Sequence, residues 1–73
     1  MRGFKNLTPA DKEIVLALAE NNMCVSRVAK NCNYHRNSVA YHLESVRKKT
    51  KLDPYNFYDL IELVTVIKKE GAV

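Results

Sequence analysis

Apolar residues fall into four blocks with helical spacing of three and four, and polar punctuation separates the blocks. In the first, Leu7, Ile14, Ala17 and Leu18 form an inward stripe that Val15 and Leu16 widen. Thr8-Pro9-Ala10-Asp11 starts this helix: Thr8 can cap, Pro9 has no N–H to leave unpaired, and Asp11 meets the positive first turn. Asn21-Asn22 ends it, because Asn tolerates a left-handed helix end. The second block, from Val25, is too short to persist alone and must be held by Val28 and the small Ala29. Cys32-Asn33-Tyr34 is a tight turn with Asn33 at its left-handed position. In the third block Val39, Leu43 and Val46 repeat at i, i+4, i+7, with His35 as the cap. Lys51-Leu52-Asp53-Pro54 breaks the chain, since Pro disfavours a helical residue before it. In the fourth, Phe57, Leu60, Ile61, Val64 and Ile67 make the core stripe, and Leu63 and Val66 extend it onto a second face. The pattern predicts one all-α domain over residues 1–73, with helices at about 8–20, 25–31, 36–50 and 55–69. Met1–Asn6 reads as a mobile lead-in from which Phe4 can fold back.

A short helix, a tight turn and a longer helix with a donor-rich start are the helix-turn-helix plan, centred on residues 25–50. At about 100° per residue, the arc opposite the third stripe collects Arg36, Asn37, Ala40, Tyr41, Glu44, Arg47 and Lys48. Charge sharpens this picture. The formal net charge is +4, and residues 35–52 alone carry five basic side chains against Glu44, whereas residues 53–73 carry four acidic against two basic. Positive charge gathered on one helix is the footprint of a polyanion binder, although many solvated helices are basic as well.

The expected partner is double-stranded DNA, with the 36–50 helix in the major groove. Arg36 can grip guanine bidentately and Asn37 adenine, Ala40 admits a thymine methyl, and Tyr41 packs beside them. Ser26, Arg27, Ser38, Arg47, Lys48 and Lys49 are the candidate phosphate contacts. Glu44 on the same face repels the backbone or discriminates at cytosine. The second apolar face fits either a deeply seated helix in a small domain or a homodimer surface; Leu63 and Val66 are read as the latter, because a chain of 73 residues should not leave a large apolar patch exposed.

Other classes find little support. No apolar run approaches the roughly 20 residues of a membrane span, and no signal-peptide pattern opens the chain, so a cytoplasmic, nucleoid-associated protein is expected. There is no nucleophile–base set, paired-carboxylate motif or Gly-rich phosphate loop, so neither an enzyme nor a cofactor site is expected. Cys24, Cys32, His35 and His42 lack metal-ligand spacing. Eight helical residues separate the cysteines by about 12 Å, beyond disulfide range. Two rivals keep the same fold: a helical protein-interaction adaptor or antirepressor with a solvated basic face, and an architectural or recombination accessory DNA-binding protein.

Tyr34-His-Arg-Asn-Ser-Val-Ala-Tyr-His-Leu43, followed by Lys51-Leu52-Asp53-Pro54, resembles the C-terminal helix-turn-helix of the PucR/sugar-diacid regulators over roughly residues 24–68. Leu7-Thr8-Pro9, the Ala29 helix, Val39, His42-Leu43 and Arg47-Lys48 are similar to the LuxR/GerE-type four-helix domain. Both resemblances imply DNA-binding transcriptional regulation through the same helix; the second implies a dimer contact on the last helix. Regulators of both kinds carry a sensory region: in a complete chain, sensing would fall to a sensory or regulatory protein partner, to control of abundance, or to neither, and in an excised domain it would lie in the missing part. The usual turn Gly is Asn33, and Ala40 stands where a basic residue is common, so no base preference carries over.

Overall fold

The computed structural model describes residues 4–71 as four α-helices: α1 (Pro9–Glu20), α2 (Val25–Cys32), α3 (Arg36–Thr50) and α4 (Phe57–Gly71). The stretch read as a mobile lead-in begins instead, over Phe4–Asn6, as a turn of 3-10 helix that buries Phe4. The rest of that stretch, 1–3, lies outside the described residues.

α1 packs against each of the other three helices. Its Ile14, Val15 and Leu18 meet Val28 of α2, Val39, Leu43 and Val46 of α3, and Leu60 and Leu63 of α4 in one core. The first helix starts as its sequence predicts. The Thr8 hydroxyl accepts from the Asp11 N–H at 3.1 Å while the Asp11 carboxylate accepts from the Thr8 N–H at 3.1 Å, a complete capping box. At its end, Asn22 and Met23 both take positive φ (56° and 60°), and the Met23 N–H closes on the Leu18 carbonyl at 2.8 Å. Asn21 then ties the end of α1 to α2, accepting from the Asn31 amide at 2.9 Å.

Asn33 takes the left-handed conformation expected of it (φ 59°, ψ 37°), which turns the chain from α2 into α3. His35 caps α3, its Nδ1 accepting from the Asn37 N–H at 3.1 Å. α3 ends on Lys51, also left-handed (φ 65°), and the buried Thr50 hydroxyl donates to the Val46 carbonyl at 2.8 Å.

The fourth helix departs from its predicted course in two ways. It begins at Phe57 rather than Tyr55, because Asp53 first accepts from the Tyr55 N–H at 3.0 Å and the Asn56 side chain then caps the Tyr58 and Asp59 N–H groups at 3.0 and 3.1 Å. It is also rolled relative to the sequence reading. Leu63 is 0% and Val66 8% exposed, so the two residues assigned to a dimer surface are core residues. Phe57 and Ile61, assigned to the core, are 59% and 47% exposed. α4 is apolar over so much of its circumference that either flank satisfied the stripe; contact with α1 selects the Leu60–Leu63–Ile67 side.

One polar cluster joins α1 to α3. The Asp11 carboxylate, 1% exposed, accepts from His42 Nδ1–H at 2.7 Å and from Lys49 Nζ at 2.9 Å while completing the capping box. Burial pushes the Asp11 carboxyl up, but bonds from Lys49, His42 and the Thr8 N–H outweigh it and hold the group below its ordinary value. A depressed carboxyl stabilises the fold above its unfolded-state value and loses that contribution as pH falls through the folded value.

Two predictions follow from these contacts. Asp11→Asn should lower stability at pH 7 by about 1–3 kcal/mol. The gap to the parent should narrow as pH drops below about 4, as urea unfolding at several pH values would record; a gap unchanged down to pH 2 would mean that the charge contributes nothing. Lys51→Gly should raise stability by about 0.5–1 kcal/mol in the same assay by relieving the left-handed β-carbon clash, whereas a loss would show that the Lys51 backbone is unstrained.

Candidate nucleic-acid interface

The arc of α3 turned away from the core presents the residues that the periodicity places there. Arg36, Asn37, Ala40 and Tyr41 are all exposed, Tyr41 at 70%. Arg36 and Asn37 occupy the first turn directly after the His35 cap, so their side chains extend from the leading end of the helix. The Tyr41 ring stands edge-on to His42 with centroids 5.5 Å apart, which limits its swing while leaving the ring face free. Tyr34, half-buried in the turn, lies 6.1 Å from the same imidazole and donates its hydroxyl to Glu13 of α1 at 3.2 Å. Its own phenol is pushed up by burial and by that glutamate, so it stays a neutral donor. The turn and the start of α3 are thus fastened to α1 through side chains as well as through the core.

The structure separates the three basic phosphate candidates of α3. Lys48 is exposed on the same arc, and Tyr41, Glu44, Ser45, Lys48 and Lys49 line a depression beside it. Lys49 belongs elsewhere. Seven residues after His42, it falls on the α1 side of the helix and is bonded to buried Asp11, so it is no free phosphate ligand. Arg47 is exposed but forks onto Glu44, with Nε donating to Oε1 at 3.3 Å and Nη2 donating to Oε2. Those bonds hold the Glu44 carboxyl below its ordinary value and raise the guanidinium further.

Ser26 and Arg27 are exposed in the first turn of α2, where the N-cap residue Cys24 makes no side-chain cap bond and leaves the leading N–H groups open. Ser38 is half-buried, off the centre of the exposed arc. One basic residue was missed. Lys51 is exposed at the left-handed C-cap that ends α3, a position that the sequence reading assigned to the break that follows. Arg36, Lys48 and Lys51 have no ion-pair partner among the described residues, so the face keeps a positive surplus.

Among the described residues no three His, Cys, Asp or Glu side chains cluster as metal ligands. Cys24 and Cys32 are free thiols; burial and the charges of Glu13 and Glu20 push Cys32 up, which keeps it protonated. No described helix is long and apolar enough to cross a membrane.

Against known proteins, the chain gives no significant match among curated proteins or solved structures. The family model of the PucR C-terminal helix-turn-helix domain, a DNA-binding regulatory domain, matches residues 12–68. That span runs from the start of α1 nearly to the end of α4 and contains the whole exposed arc of α3, and the chain therefore belongs to the PucR C-terminal helix-turn-helix family.

Proposed function

We propose that the chain binds double-stranded DNA sequence-specifically, as a transcriptional regulator acting in the cytoplasm at the nucleoid, with α3 in the major groove. The observation that carries this reading is the leading turn of α3, where Arg36 and Asn37 stand exposed beside Ala40 and Tyr41. Arg offers a two-donor fork to guanine O6 and N7, and Asn a donor–acceptor pair to adenine N7 and N6. Ala40 leaves room for a thymine methyl, and Tyr41 lies against the sugar or base edge. Lys48 meets backbone phosphates, with Arg47 in reach of them, and Ser26, Arg27 and the open N–H groups of α2 take a phosphate on the flanking strand. Ser38 adds a hydroxyl at the margin.

The reading includes a homodimer. Its surface is the exposed flank of α4, with Phe57, Tyr58 and Ile61 at 59%, 79% and 47% exposed, beside a groove bordered by Ala19 of α1 and Met23 in the turn that follows it. Exposed aromatic and aliphatic side chains in one place favour a protein contact. A two-fold protein would read half-sites about one helical turn, 10–10.5 bp, apart. The same patch is what a sensory partner or an adaptor role would use, so the two surfaces need separate tests.

Arg36→Ala and Asn37→Ala should each cost about 1–3 kcal/mol of specific binding and relax one base position, whereas Lys48→Ala should weaken all duplexes alike and lower the salt slope by about 1. Anisotropy titrations over a base-substitution series at several salt concentrations separate the two patterns; equal losses on every sequence for Arg36 and Asn37 would remove them as readers. Ile61→Glu should convert a dimer to a monomer in sedimentation equilibrium. A parent chain already monomeric at the concentrations that saturate DNA would assign the patch to another partner.

A further inference from the structure

Glu44 is the sole acidic residue between positions 35 and 52, and it sits in the middle of the face proposed to meet a polyanion. As a bare carboxylate there it only weakens attachment. Its geometry gives it another task. Arg47 is gripped side-on, through Nε and Nη2, by the two carboxylate oxygens. A guanidinium has five N–H donors in one plane, and this grip consumes two of them. The three that remain include the parallel pair at the end of the group, one on Nη1 and one on Nη2, which point away from Glu44 in the plane of the fork. Both side chains are about half exposed, 49% for Arg47 and 47% for Glu44, and among the described residues the guanidinium makes no hydrogen bond other than these two.

We propose that Glu44 is a positioning residue for DNA recognition: it holds the Arg47 guanidinium side-on so that its end edge meets a bidentate acceptor on the duplex. The inference rests on the DNA-binding reading above. Two acceptors share the required chemistry, the O6/N7 edge of guanine and a pair of phosphate oxygens, each matched by two parallel N–H donors. Pairing makes the unit electrically near neutral, so Arg47 contributes direction here more than charge. An arginine on a flexible stem loses rotamer freedom on docking, and a carboxylate that has already fixed it removes part of that cost.

A double-mutant cycle on DNA affinity separates positioning from charge. If Glu44 were only a repelling charge, Glu44→Ala would tighten binding whether or not Arg47 is present, and the two substitutions would add. Positioning predicts a change of sign. In the parent, Glu44→Ala should weaken binding about twofold or more, and in the Arg47→Ala background the same substitution should leave binding unchanged or tighten it. Glu44→Gln, which keeps the length and one acceptor, should fall between. Circular dichroism should be superimposable for all five proteins, because an exposed i, i+3 pair adds little to helix stability.

Repeating the cycle over single-base substitutions locates the acceptor. Coupling confined to one guanine assigns the base edge, and coupling equal on all sequences assigns a phosphate. Additive tightening by Glu44→Ala in both backgrounds overturns the proposal. If Arg36 proves necessary while the cycle is additive, the DNA-binding reading stands and only the role of Glu44 falls. If the parent binds no duplex, both fall.

Discussion

A single buried carboxylate fixes the relation between the first helix and the helix that carries the interface. Asp11 completes the cap of α1, and its remaining capacity is taken by His42 and Lys49, one at each end of a two-turn span of α3. Three neutral bonds could hold a helix end in place, but the ion pair to Lys49 also fixes which way α3 is rolled. A rotation that freed Lys49 would leave Asp11 buried and short of a partner, a penalty of about 1–3 kcal/mol or more for a charged group. The apolar stripe of Val39, Leu43 and Val46 demands the same roll. Packing and polar pairing therefore agree, and the Arg36–Tyr41 arc faces solvent as their consequence.

That agreement matters because the domain is small. A chain of 73 residues buries little apolar surface, and its core of about a dozen side chains has no reserve to hold a helix in several orientations. α1 carries most of the burden, since it contacts every other helix. The turn before α3 is pinned from three directions: Asn33 in its left-handed conformation, His35 as cap, and Tyr34 hydrogen-bonded to Glu13. A rigid scaffold with a donor-rich leading turn is what groove insertion requires, because base discrimination depends on donors arriving in register.

Local signals were the legible part. The Thr8-Pro9-Asp11 start, the left-handed Asn33, the His35 cap and the inward residues of α3 depend on neighbours within a few positions, and the sequence states them directly. The exposed arc follows from the same periodicity. Long-range pairing was not legible: no rule of spacing connects Asp11 to His42 and Lys49, which lie 31 and 38 residues away, so Lys49 read as one more surface cation. The roll of α4 was hidden for a related reason. Its apolar residues run most of the way around, and only contact with α1 decides that Leu63 and Val66 go in while Phe57 and Ile61 stay out. Glu44 read as a repelling charge or a discriminator at cytosine, because its fork with Arg47 needs rotamers as well as spacing.

Selection from a pool of random duplexes, scored by the motif enriched after several rounds, bears most directly on the claim that α3 reads base sequence. The account predicts a short enriched motif that is lost when the pool is selected with Arg36→Ala protein. Retention of duplexes with no common motif at low salt would contradict it, leaving the basic face as a sequence-blind grip on the phosphate backbone.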